Sequence, residues 1–210
     1  MQAEISRVDV SRFDAIPAPR TGWRGQVDRF IGPGATSAEL WLQLLPAVGA
    51  AIAAPLYAST LLVDWSPWQL GLIAFLGFDL VGGVLTNATA AAKRWYHRPG
   101  QGWKQHMTFV SLHLLHIGAV AWGLRGGDLT FFVVVVGYLL LASGAILASP
   151  DYLQRPIALG LYGFSLLGPL YVFAPTPGLE WFLPLFFLKL LVSHLLNEAP
   201  DGPEQLSRPL

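Results

Sequence analysis

The sequence predicts an all-α, polytopic integral membrane protein: a bundle of six transmembrane helices with both termini in the cytoplasm. Three observations carry that prediction. Only 12% of the 210 residues are charged and 53% are hydrophobic, whereas a soluble domain carries roughly a quarter charged residues. Six apolar segments each come close to the ~20 residues that a helix needs to cross a bilayer core. Lys and Arg are distributed unevenly between alternate connections, as the positive-inside bias requires.

The chain opens with a polar tail, residues 1–38, in which Arg7, Arg12, Arg20, Arg24 and Arg29 alternate with Glu4, Asp9, Asp14 and Asp28. No short apolar core followed by small residues occurs there, so a cleaved signal peptide is not expected. Within the tail, Gly22–Ile31 sets Trp23, Val27, Phe30 and Ile31 at helical spacing against Arg24, Asp28 and Arg29. Such a helix can lie on the cytoplasmic membrane surface.

The transmembrane domain spans 39–197. Its six segments fall at about 39–63, 67–92, 106–124, 129–148, 154–174 and 178–197. Unpaired backbone groups are too costly in hydrocarbon for these to be anything but helices, and the alternation of a barrel strand is absent. Links as short as RGGD and SPDY make sequential helices antiparallel neighbours. Ala47, Gly49, Ala50, Ala51, Ala53 and Ala54 in the first span, with Gly82 and Gly83 in the second, mark seams where backbones approach closely. Pro46, Pro55, Pro169 and Pro184 can kink their helices. A short cytoplasmic tail, 198–210, closes the chain.

Orientation follows from the basic residues. Those of the N-terminal tail, Lys93, Arg94, Arg98 and Lys104 of the 93–105 loop, Arg155 and Arg208 all fall on one side. Arg125 stands alone on the other, and Lys189 lies within a span. The first side is therefore cytoplasmic, and the expected location is the plasma (inner) membrane.

Composition also bounds the chemistry. A net charge of zero gives no basic footprint for nucleic acid. The absence of cysteine excludes disulfides, thiolate nucleophiles, iron–sulfur clusters and thiolate zinc sites. Any metal would be held by His and carboxylate.

Ionisable groups inside a span are expensive unless they face the bundle interior and find partners, so each is a functional candidate. Asp79, His113, His116, Lys189 and His194 meet that description, accompanied by Thr86, Asn87 and Ser193. At about 100° per residue, His106, His113 and His116 share one stripe, as do Asp79, Gly83, Thr86, Asn87 and Ala90. Lys189 and Ser193 share one side of the last span, and His194 shares another with Glu198. Bringing the second, third and sixth spans together would enclose a polar pocket open to the cytoplasm. We assign Asp79, His116 and Lys189 as catalytic candidates and His113, His116 and His194 as ligands for zinc or another divalent metal. The basic, aromatic hinge 92–106 adds Lys93, Arg94 and His97, which with Asn87 would bind substrate.

The leading expectation from these residues is a metal-dependent, membrane-embedded hydrolase acting on a lipid-like substrate, with the metal activating water. In residue types the set resembles that of intramembrane lipid hydrolases of the alkaline ceramidase kind, which use Ser, Asp and several His. The sequence departs from that pattern: the last span holds His194 alone, without a second histidine four residues away, and no matching Ser and Asp motif occurs. No family is assigned. The alternatives are a small-solute or proton-coupled transporter built on Asp79 and Lys189, a haem-binding protein using His113 with His194 or His116, and a structural or assembly subunit. The lipid bilayer is the expected partner, with a lipid or small-molecule substrate and a homo-oligomer for a chain this small.

Overall fold

A computed structural model describes residues 16–197. The outer part of the N-terminal tail and the tail from Glu198 lie outside the described residues, as does the expected pairing of Glu198 with the face of His194. Among the described residues the fold is all-helical, and three helices are long and apolar enough to cross a membrane.

Local sequence fixes the helix starts. Helix α1 (Gly22–Ile31) occupies the predicted amphipathic segment, with Trp23 73% and Phe30 62% exposed and Asp28 buried. Arg20 satisfies Asp28 through its backbone N–H at 2.8 Å and its guanidinium at 2.6 Å. Helix α2 (Ser37–Ser59) begins on a reciprocal cap. The Glu39 N–H donates to Thr36 Oγ1 at 3.1 Å, and the Thr36 N–H donates to Glu39 Oε2 at 2.7 Å. Helix α3 (Pro67–Ala88) starts with Pro at its first position, where no N–H is needed.

The predicted second span, 67–92, is interrupted at Thr89. The Thr89 hydroxyl donates to Thr86 O at 2.8 Å and accepts from the Ala92 N–H at 3.3 Å, so it closes α3 and caps α4 (Ala90–Tyr96). The third, 106–124, divides into α5 (Trp103–Leu112) and α6 (Leu114–Gly123), which meet at His113. Helix α7 (Leu129–Ala148) reproduces the predicted 129–148, with Asp128 Oδ1 accepting from the Phe131 N–H at 2.8 Å. The fifth becomes α8 (Asp151–Leu167) and α9 (Pro169–Val172), parted at Gly168-Pro169. The last, 178–197, is α10 (Phe182–Phe187) continued by a π-helical segment, Leu188–His194.

Packing places α3 at the centre, flanked by α2 on one side and by α10 and the π segment on the other. The α2–α3 seam is built from small residues. A Cβ on Gly77 would lie 2.9 Å from Ala50 O, and one on Gly82 would lie 3.1 Å from Ala47 Cβ. Ile73, Leu76, Leu80, Ile117, Leu139, Ile146, Phe186, Leu190 and Leu191 fill the core. Outward surfaces are apolar too: Trp41, Leu42, Leu45, Ile52 and Leu56 of α2 are all exposed. A surface of this kind suits contact with lipid rather than water.

Candidate functional site

The ionisable residues of the predicted spans form two clusters. In the deeper one, Asp79 of α3 is shared by a lysine and a histidine. Lys189 Nζ of the π segment donates to Asp79 Oδ2 at 2.6 Å, and His116 Nε2 of α6 lies 2.9 Å from the same oxygen. The imidazole approaches at contact distance but off the donor direction, so neither ring nitrogen of His116 completes a hydrogen bond. His113 stacks on His116, ring centres 5.0 Å apart, and its Nδ1 pairs with Phe109 O at 2.8 Å. The break between α5 and α6 falls at this histidine, so its side chain satisfies a carbonyl of the preceding turn.

Lys189 reaches Asp79 across Gly83. A Cβ at Gly83 would stand 2.3 Å from Lys189 Cε and 2.8 Å from Nζ. A side chain at this position of α3, one turn past the carboxylate, would push the lysine tip off its present path. On the other side of Asp79, a cavity of about 100 Å³ is lined by Phe30 and Ile31 of α1, Gln43 and Ala47 of α2, and Gly82, Gly83 and Thr86 of α3. Its polar edge is closed by the Thr86 hydroxyl, which donates to Gln43 Oε1 at 2.9 Å.

The second cluster lies toward the α4–α5 connection and gathers His97, His106 and His194. His106 Nδ1 is 3.3 Å from His194 Nε2, and His97 Nε2 is 3.0 Å from His194 O. Lys93 Nζ donates to Ser193 O at 2.6 Å and to Leu196 O at 2.5 Å. Burial, followed by the positive charges of His106 and Lys93, holds His97 down to about 4. Burial pushes the Tyr96 hydroxyl up to about 12.

Phe109 touches both clusters, stacked on His194 with centres 3.8 Å apart and 4.7 Å from His113. Sequence reasoning passed over it, although its position four residues before His113 puts it on the same helical stripe. Gln43 was also missed, because a lone polar residue in the first turns of a span gives no signal of its partner.

These positions revise several assignments. Asp79, His116 and Lys189 do come together. His113, His116 and His194 do not: the first two belong to the deep cluster and His194 to the other. Among the described residues no three His, Asp or Glu side chains are arranged to hold one metal ion. Nor is Lys93 free to grip a substrate headgroup, because it is buried and caps the carbonyls that the wider π turn leaves open. His97 is likewise turned inward onto a carbonyl. Asn87 is buried at the end of α3 and Arg94 is half-buried on α4. No family model, curated protein or solved structure matches the chain.

Proposed function

We propose that this chain is a proton-coupled transporter of small solutes in the plasma (inner) membrane, with Asp79 at its proton-exchange centre. One observation carries the reading: a single intramembrane carboxylate oxygen faces an ammonium at 2.6 Å and an imidazole at 2.9 Å. An ion pair that served only to lock helices would need one cation. A second, titratable group at the same oxygen gives the cluster a site where a proton can be gained or lost while Lys189 stays paired with the carboxylate.

In this reading, a proton on His116 Nε2 gives a cluster of two cations and one carboxylate. Its loss leaves the neutral Asp79–Lys189 pair. A proton placed on Asp79 instead releases Lys189, which then lacks its partner and must move or be replaced by substrate. Each state favours a different spacing of α3, α6 and the π segment, and π turns inside α-helices recur at sites that move or bind. The crossing elements in this proposal are α2, α3, α5 with α6, α7, α8 with α9, and α10 with the π segment, and both termini are cytoplasmic. The hydrolase expectation keeps the same residues but lacks a converged metal-ligand set to activate water.

Proton exchange can be tested without knowing the solute. Purified protein in liposomes on a solid-supported membrane is given a pH step, and the transient charge displacement is recorded. Wild type is expected to give a saturable transient, Asp79→Asn none, and His116→Gln a transient displaced along the pH axis. Identical traces for wild type and Asp79→Asn would overturn the proposal.

A further inference from the structure

A second cavity, on the face of the bundle away from His97 and Lys93, is assigned to neither cluster. Its volume is about 310 Å³, at the lower end of ordinary small-molecule sites. The walls are apolar, with Phe131 of α7, Leu166 and Leu170 of α8 and α9, and Phe182 and Leu183 of α10. Arg125 and Glu180 stand at its edge.

We propose that this cavity binds a small hydrophobic organic cation, and that it is the solute site of the transporter proposed above, on which the second half of this inference rests. The charge balance argues for a cation. Four of the five Arg125 N–H donors are engaged: its Nε and Nη2 donate to Asp128 Oδ2 at 3.0 and 2.7 Å, and its Nη1 donates to Ala174 O at 3.1 Å and to Thr176 Oγ1. It also lies 4.6 Å over the Phe131 ring. Arg125 and Asp128 thus neutralise each other. That leaves the carboxylate of Glu180, which accepts one bond from the Gly178 N–H at 3.2 Å, and that of Asp64 in the adjoining cavity. Glu180 is the one carboxylate that lines this cavity among the described residues, and with Arg125 neutralised by Asp128 it favours a cation over an anion there. The apolar walls hold a hydrocarbon body and offer little to a sugar or a free amino acid, whose polar groups would go unpaired there.

Position argues for the link to proton exchange. Phe182 stacks on Phe186 with centres 5.4 Å apart, and Phe186 lies 6.5 Å from both His113 and His116. One layer of rings separates the cavity floor from the Asp79 cluster, and those rings belong to the helix that continues into Lys189.

The test is direct binding to the full chain in nanodiscs at fixed ionic strength. The probes are benzyltrimethylammonium, its uncharged isostere neopentylbenzene, and benzylsulfonate. The cation is expected to bind saturably, about tenfold more tightly than the isostere, with no binding of the sulfonate. Glu180→Gln, an exposed position whose replacement leaves the core untouched, should remove that preference, and Leu183→Trp should fill the cavity and abolish binding. Probe binding and the pH-step transient are recorded separately on the wild-type chain, so absence of the transient with binding intact counts against the proton-exchange reading, and absence of binding with the transient intact counts against this site. Equal binding of cation and isostere, unchanged by Glu180→Gln, would identify an acyl-chain pocket and overturn the proposal. So would the absence of saturable binding by any probe.

Discussion

At the scale of single residues, the Asp79–Lys189 pair depends on an atom that is missing. Gly83 leaves the gap through which the lysine reaches the carboxylate, and the Cβ of alanine would displace Nζ. Removing one partner of a buried ion pair costs about 3–5 kcal/mol, whereas replacing both is often nearly neutral. Asp79→Asn and Lys189→Met should therefore each destabilise the protein by about that amount, with the double variant recovering most of it. In a Gly83→Ala background the coupling between the two sites should fall toward zero while the fold persists, as measured by a double-mutant cycle on reversible unfolding in mixed micelles. His97 gives a second prediction. Its folded value of about 4 lies below the usual 6.5, so between those pH values the unfolded chain binds a proton that the folded chain does not. Stability contributed by neutral His97 is complete above pH 6.5 and is lost as pH falls toward 4. His97→Gln should lessen the slope of the stability profile within that window and leave its shape unchanged above.

At the scale of elements, the π segment is where local rules and packing diverge most. Pro184 removes one N–H from the helix that leads into it, and Leu195 N–H bonds to Leu190 O, five residues back. The extra residue per turn brings Lys189, Ser193 and His194 all to the buried side, where a regular 100° step would have parted His194 from the other two. Lys93 completes this arrangement by capping Ser193 O and Leu196 O. Lys93→Met should leave both carbonyls without that donor, so the amides of 190–197 should exchange with deuterium about tenfold faster or more, while those of α7 keep wild-type rates. The contrast explains which features could be read from the sequence. The start of α2 at Thr36, the whole of α7 and the seam of Ala47 and Gly82 follow from caps, apolar length and residue size, all local properties. The break at Thr89 was hidden because its hydroxyl acts twice, and the separation of His194 from His113 and His116 was hidden because regular helical geometry does not extend through a π turn or through the break at His113.

At the scale of the whole molecule, orientation rests on the basic residues, and the absence of cysteine makes it testable one site at a time. Every single-cysteine variant carries a unique thiol. Gln101, in the connection between α4 and α5, and Ser149, between α7 and α8, belong to the side that the Lys and Arg distribution predicts to be cytoplasmic. Leu62, fully exposed after α2, and Glu180, before α10, lie on the other. If α2, α3, α5 with α6, α7, α8 with α9, and α10 with the π segment each cross once, the two pairs must face opposite compartments. A membrane-impermeant maleimide applied to right-side-out vesicles should then label Leu62→Cys and Glu180→Cys, and should label Gln101→Cys and Ser149→Cys only after the vesicles are opened. Labelling of all four from one side would mean that the broken helices re-enter rather than cross. In that case the cavity beside Glu180 and the connection carrying Gln101 would share a compartment, and a solute bound in that cavity could not be carried from one side of the membrane to the other.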